Sequence, residues 1–315
     1  MRHPAKLLGL AVLAAAIISV IHLPGFTQES RNSEHQPQPQ WSLLLKNTTP
    51  NRKAEADQLI QKGNQYVRLN QFDAALETFE QALNIYREIE DRQGEADALT
   101  RLGTVHNIHF GNYGQALRFY EQALAIIRNF DTDLCEICAL TRLGDIYSSL
   151  GQKTLAIDFY TQALTSARAI NDRNREAIAL HNLGNGYYSL AHYDLALDFL
   201  RQSLAVANET NNQQGKSAAL NDLGNVYNTL GQYDQAIDFY QQALVIIREH
   251  STAGCEGCTL GNLGIVYDAL GNYEQAIDFY EQALASAQAS SNAARERLWL
   301  SKLGHSWFHL DQPEL

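Results

Sequence analysis

Residues 260–285 read LGNLGIVYDALGNYEQAIDFYEQALA. In the first half Leu260, Leu263 and Tyr267 stand three and four apart, and in the second Ala276, Tyr280 and Ala283 stand four and three apart. Such spacings bring side chains onto one face of a helix, whereas a strand would alternate by two. Gly271 separates the halves, and Glu274 follows it, an acid where the opening turn of a helix favours negative charge. The stretch predicts two short amphipathic helices, A and B, joined by a tight turn.

The same pattern recurs along the chain. Glycine returns at Gly63, Gly103, Gly144, Gly184, Gly224, Gly264 and Gly304, at intervals of 40, 41, 40, 40, 40 and 40 residues. The longer interval comes from one extra residue before the turn in GTVHNIHFGNYGQAL. Leu lies four before the glycine, an aromatic or His three after it, and alanine, an aromatic and alanine follow at twelve, sixteen and nineteen. In the fifth unit these include Leu220, Tyr227, Ala236, Tyr240 and Ala243. The fourth departs twice, with Leu200 for the aromatic and Ser203 for the second alanine; elsewhere Lys62, His106 and Lys153 replace Leu, Tyr and the turn aromatic. Small residues at fixed positions let helix backbones approach, with Leu and Tyr filling the space beside them.

These residues resemble the tetratricopeptide repeat, whose signature is Leu-Gly, Tyr, Ala, Phe or Tyr, Ala. The family's proline near the end of helix B is absent, and the link is long, as in REIEDRQGEAD. The resemblance implies an all-α, right-handed superhelical solenoid of six helix-turn-helix repeats, near 56–95, 96–136, 137–176, 177–216, 217–256 and 257–296, with a seventh helix A as a cap over 297–310. It also implies a concave groove lined by helix A that binds peptides of other proteins.

Prolines agree with a helical array. All six lie at Pro4, Pro24, Pro37, Pro39, Pro50 and Pro313, so residues 51–312 contain none, where usual composition would supply roughly thirteen. Proline removes a helix donor and clashes with the preceding turn. With 24 basic against 35 acidic residues the chain carries a net charge of −11, and residues 54–315 alone carry −15. Such a body repels a polyphosphate, which argues against a nucleic-acid partner.

At the N-terminus Arg2 and Lys6 precede the apolar run LLGLAVLAAAIISVI. Residues 1–27 read as an export signal, its fifteen-residue apolar run too short for an ordinary span, or as an uncleaved anchor. The expected location is periplasmic or secreted, with a membrane involved only if the segment stays attached. Residues 28–53, rich in Gln, Asn, Ser and Pro, read as a flexible linker broken by the apolar island Trp41–Leu45. The solenoid is expected over 54–315.

Positions two and three before the glycine, and one, four and five after it, face away from the predicted core. They carry many amides, Asn64, Asn107, Asn182, Asn185, Asn221, Asn225, Asn228 and Asn262, together with Tyr188 and His181. An amide offers donors and an acceptor, so a row of them suits the backbone of a bound peptide; solvated positions or bridges between repeats are the other reading.

Four cysteines form two CxxC pairs, Cys135/Cys138 and Cys255/Cys258, 120 residues apart. Three repeats separate them by about 30 Å at ~10 Å per stacked pair, so one metal cannot take all four. Each pair is expected to form a local disulfide, a reactive dithiol, or two packed small residues. No phosphate loop, GxSxG or HExxH motif occurs, and neither a catalytic site nor a cofactor is expected. His305 and His309, four apart, form only a weak metal motif. The last helix carries Trp299, Leu300, Trp307 and Phe308, an apolar excess that suggests association between copies through the C-terminal end. The expected function is a non-catalytic interaction scaffold; the alternatives are thiol-redox or metal handling through the CxxC pairs, and structural self-assembly.

Overall fold

A computed structural model describes residues 49–130, 133–250 and 256–311. The chain divides into Met1–Lys46 and Asn47–Leu315, and everything described lies in the second unit. The expected export signal, most of the expected linker and the Trp41–Leu45 island lie outside the described residues.

Thirteen helices follow one another among the described residues: α1 Thr49–Arg68, α2 Phe72–Glu88, α3 Arg92–Ile108, α4 Tyr113–Phe130, α5 Asp133–Ser149, α6 Lys153–Ala169, α7 Arg173–Ser189, α8 Tyr193–Glu209, α9 Gln213–Thr229, α10 Tyr233–His250, α11 Glu256–Ala269, α12 Tyr273–Ala289 and α13 Ala293–Leu310. Each packs on the next, giving an all-α repeat solenoid of six pairs and a final helix A, as the forty-residue period predicts. Helix α1 begins at Thr49, inside the stretch whose composition reads as linker. Pro50 is no obstacle there, because the first helical turn needs no N–H. The breaks between units fall at turns such as Glu90, Asn171, Asn211 and Ser291. These precede the breaks read from the sequence by about five residues, because a period sets the length of a unit but not its phase.

The repeat glycine is a contact residue. A Cβ on Gly224 would come within 2.5 Å of the Tyr240 ring, and one on Gly63 within 2.4 Å of Phe79. Only a bare Cα lets the helix B ring seat against helix A, and Tyr120, Tyr240 and Tyr280 are fully buried as a result. At Gly304 nothing lies within 4 Å, since no helix B follows α13 among the described residues. In several units a second aromatic pair stacks across the two helices. Tyr147–Phe159, Tyr187–Phe199 and Tyr227–Phe239 have centroids 5.3 Å apart.

Turns between A and B need a left-handed residue. Gly111, Gly151, Gly231 and Gly271 supply it at φ 61–76°, and Ala191 holds the same place at φ 59°. After the turn residue, Gln152, His192, Gln232 and Asn272 donate backbone N–H groups to the carbonyls of Tyr147, Tyr187, Tyr227 and Tyr267, closing the helix A carbonyls. Between units the side chains of Asp91, Asp172, Asn212 and Asn292 cap the next helix A.

Ion pairs tie helix B to the following helix A eight residues on: Arg87–Glu95, Arg128–Glu136, Arg168–Glu176 and Arg248–Glu256. Burial alone would push the Glu95 and Glu176 carboxyls up. Their paired arginines, Arg87 with Arg92 and Arg168 with Arg173, outweigh it and hold both below the usual carboxylate range. From α1 to α11 each odd-numbered helix also touches the next odd-numbered one, whereas among the described residues even-numbered helices make no comparable contact with each other. The odd-numbered helices therefore line the inner side of the curve.

Candidate functional site

Three adjacent cavities open along the inner side. The first, about 470 Å³, lies between α3, α5 and α7 and is lined by Thr100, Thr104, Cys138, Thr141, Arg142, Asp145, Arg175, Ile178 and Asn182. The second, about 250 Å³, lies between α7 and α9 and is lined by Ala177, Ile178, His181, Ser203, Asn212, Gly215 and Ala218. The third, about 170 Å³, reaches α11 through Cys258 and Thr259 and includes His181, Asn221 and Asp222. Ile178 is shared by the first two and His181 by the last two, so the cavities form one trough. Positions six, three and two before the repeat glycine recur in the lining. Cys138, Ile178, Ala218 and Cys258 all stand at the sixth, forming a largely apolar floor across four successive repeats.

Beside the floor runs a polar network centred on Asp222. It accepts hydrogen bonds from His181 Nε2 at 2.7 Å and Asn185 Nδ2 at 2.9 Å on α7, and from Asn225 Nδ2 at 3.1 Å on its own helix. Asn225 Oδ1 in turn accepts from the Tyr240 hydroxyl at 2.8 Å and from Asn262 Nδ2 at 3.0 Å on α11. Asn221 Oδ1 accepts from Thr259 Oγ1 at 3.1 Å. Burial works against charge at both ends of the His181–Asp222 pair. At His181 the hydrogen bond and charge of Asp222 outweigh burial, raising the imidazole above its ordinary value. At Asp222 the partners His181, Asn185 and Asn221 do the same, lowering the carboxyl.

Asn185, Asn221, Asn225 and Asn262, expected to face a ligand, thus lock α7, α9 and α11 together. Asn182 lines the first cavity and Asn221 the third. Asn64 accepts from Arg101 Nη1 at 2.7 Å, and the Tyr188 hydroxyl meets Thr229 Oγ1 at 2.8 Å across the next repeat. Asn107 and Asn228 are half-buried on α3 and α9 and line none of the three cavities.

The cysteines lie where sequence reasoning did not look for a surface. Cys138 is a free thiol on the trough floor, its Sγ 3.8 Å from Arg175 Nη2. Cys258 holds the equivalent place three repeats on and is disulfide-bonded. The side chains of Cys135 and Cys255 lie outside the described residues. The floor was legible in principle, because one register position carries Cys, Ile, Ala and Cys in consecutive units. Among the described residues no group of three or more His, Cys, Asp or Glu is placed to hold a metal, and His305 instead approaches Asp268 at 3.4 Å. No described helix is long and apolar enough to cross a membrane. On α13, Leu298, Leu300, Trp307 and Phe308 remain exposed, Phe308 at 59%.

A family model described as the tetratricopeptide repeat matches residues 56–129, 135–209 and 216–289, more than half of the chain. The chain belongs to the tetratricopeptide repeat family. No curated protein sequence matches it significantly. Among solved structures, this tetratricopeptide repeat protein is similar to BtubC from P. vanneervenii at 18% identity and TM-score 0.57, covering 78% of this chain and 93% of that one. A Rap protein in complex with Competence and Sporulation Factor aligns at 20% identity and TM-score 0.55, covering 82% and 76%. PilF of Pseudomonas aeruginosa aligns at 16% and 0.57, covering 80% and 99%. At such identities the likeness concerns the fold.

Proposed function

We propose that this tetratricopeptide repeat protein is a non-catalytic scaffold that binds a peptide or a segment of a partner protein along the inner trough. The observation that carries the reading is the run of three connected cavities across α3 to α11, with an apolar floor and a polar edge. Repeat arrays use such extended inner surfaces for recognition, and large pockets with a few convergent polar groups are the usual place of binding. The Rap protein structure with a bound factor is in keeping with this use of the fold.

Because Asn185 and Asn225 hold repeats together, their removal would confuse binding with folding. Ile178 and Asn182 line the trough; Ile178 is 49% exposed, and Asn182 touches the network only through a side-chain hydrogen bond to His181. Capture of partners by the full-length protein should therefore be compared with Ile178→Ser plus Asn182→Ala, with thermal unfolding as the fold control. Loss of the captured partner at unchanged melting temperature supports the reading. Equal capture by both proteins removes it.

Two further proposals stand beside it. Arg2, Lys6 and the apolar run over 7–21 favour export, which fractionation of the cell with an antibody to the array tests. The exposed Trp307 and Phe308 favour association through α13, and sedimentation showing one monomer mass across concentrations would remove that idea.

A further inference from the structure

The three cavities differ in charge. Arg142 and Arg175 line the first against one acid, Asp145, while the other two contain no lysine or arginine in their lining. Neither arginine has its donors filled. Arg142 reaches Asp145 Oδ2 through a single 3.3 Å contact, and the other oxygen of Asp145 accepts from the Tyr160 hydroxyl at 3.0 Å. Arg175 donates one Nη to Asp172, the cap of its own helix, while among the described residues its Nη2 meets only the Cys138 thiol at 3.8 Å. A thiol is a weak acceptor, whereas a guanidinium presents a planar fork of N–H donors that fits a carboxylate. The cavity thus has donors in excess of acceptors along one wall.

Acceptors sit along the other wall. Thr100, Thr104 and Thr141 donate their hydroxyl protons to carbonyls one turn back in their own helices; this leaves lone pairs on Thr100 and Thr141 available for a backbone N–H, whereas Thr104 Oγ1 also meets the Tyr120 hydroxyl at 2.9 Å. A carboxylate flanked by peptide N–H groups matches both walls. Across α7 the second cavity sets Ala177, Ile178, Gly215 and Ala218 beside His181, Ser203, Asn212 and Gln214, and its apolar part next to Ile178 suits an apolar side chain. Helix A neighbours in such a stack lie ~10 Å apart, and an extended chain advances ~3.3 Å per residue. The two side chains would then stand about three residues apart.

We propose that the trough takes an extended acidic–apolar segment of a partner protein, with an Asp or Glu side chain held between Arg142 and Arg175 and an apolar side chain about three residues away beside Ile178. This rests on the trough being the binding surface, and it adds the chemistry of what is bound. The local pair of arginines selects a single acidic position, because the rest of the body is strongly acidic and repels a uniformly acidic partner.

The test selects random dodecapeptides on beads against the full-length protein, in one library with amidated C-termini and one with free C-termini. Enrichment of Asp or Glu about three positions from an apolar residue in the amidated library is the expected result. Arg142→Gln plus Arg175→Gln should lose that enrichment and weaken the selected peptides by roughly tenfold or more per arginine. Arg142→Lys plus Arg175→Lys should keep part of the binding, and helical ellipticity and melting temperature should be unchanged in both variants. Acidic enrichment that persists without the two arginines overturns the proposal, as does apolar enrichment with no acidic position. Enrichment confined to free C-termini moves the carboxylate to the chain end and also overturns it. Should no peptide of either library be enriched, the trough loses its role as a peptide site, and the parent reading fails with it.

Discussion

Replacing Asp222 by alanine removes the acceptor on which α7 and α9 converge. His181 Nε2 at 2.7 Å and Asn185 Nδ2 at 2.9 Å would lose their partner, and Asn225 would lose the bond that orients it toward Tyr240 and Asn262. A hydrogen bond to a charged group contributes about 1.5–3 kcal/mol, and stranding the donors adds their desolvation. Only a quarter or less of either side chain of the pair is exposed, so solvent screening is modest. The expected loss is about 2–4 kcal/mol, or roughly 5–15 °C in melting temperature for an array of this size. The effect carries a pH signature. The lowered Asp222 carboxyl contributes stability above the ordinary carboxylate range and loses it as pH falls through its lowered value. The raised His181 contributes fully below its ordinary value and loses it as pH rises through the raised one. The gap between wild type and Asp222→Ala should therefore be widest between about pH 4 and pH 6.5 and shrink on both sides. Thermal unfolding by circular dichroism from pH 3 to pH 9, with a double-mutant cycle to His181→Ala, measures it. A gap that is the same at all pH values, or additive effects of the two substitutions, would refute the reasoning.

Glycine substitutions should split by repeat. Gly224→Ala drives a methyl into the Tyr240 ring and should cost about 1–3 kcal/mol by overpacking, whereas Gly304→Ala meets open space and should stabilise by up to about 1 kcal/mol through helix propensity; denaturant melts compare them. Ala191→Gly relieves a left-handed alanine at φ 59° and should raise the melting temperature by about 1–3 °C, and a drop would contradict the turn geometry. Alkylation mapped by mass spectrometry should label Cys138 without reductant and Cys258 only after reduction. Labelling of both from the start would show that Cys258 is not bonded.

Much of the fold was legible because its signals are local and repeated. Leu223, Gly224, Tyr227, Ala236 and Tyr240 sit in one register in almost every unit, and averaging over repeats removes the ambiguity of a single apolar run. The turn glycines announced themselves by conformation, since Gly151 and Gly231 occupy φ values that other residues adopt only with strain. The candidate site was half legible. Asn185, Asn221, Asn225 and Asn262 are half-buried, and they bond Asp222, Tyr240 and Thr259 across neighbouring helices. No spacing rule distinguishes an amide that meets a ligand from one that meets the neighbouring repeat. Cys138 drew notice only as one of a CxxC pair, and nothing in the sequence marked Ile178 and Ala218; together they pave the trough.

The sequence alone determined the helical array, its repeat length and its count of six pairs and a final helix A, because periodicity, the small residue at each repeat glycine and the lack of proline each act within one unit. Tertiary structure alone decided which polar residues face each other and which stay open to a ligand. That choice depends on the curvature of the stack: odd-numbered helices lie close enough for Asp222 to reach α7, while between α5 and α7 Arg142 and Arg175 are left facing a cavity. Curvature arises from the sum of small packing offsets between units, and no one repeat carries it.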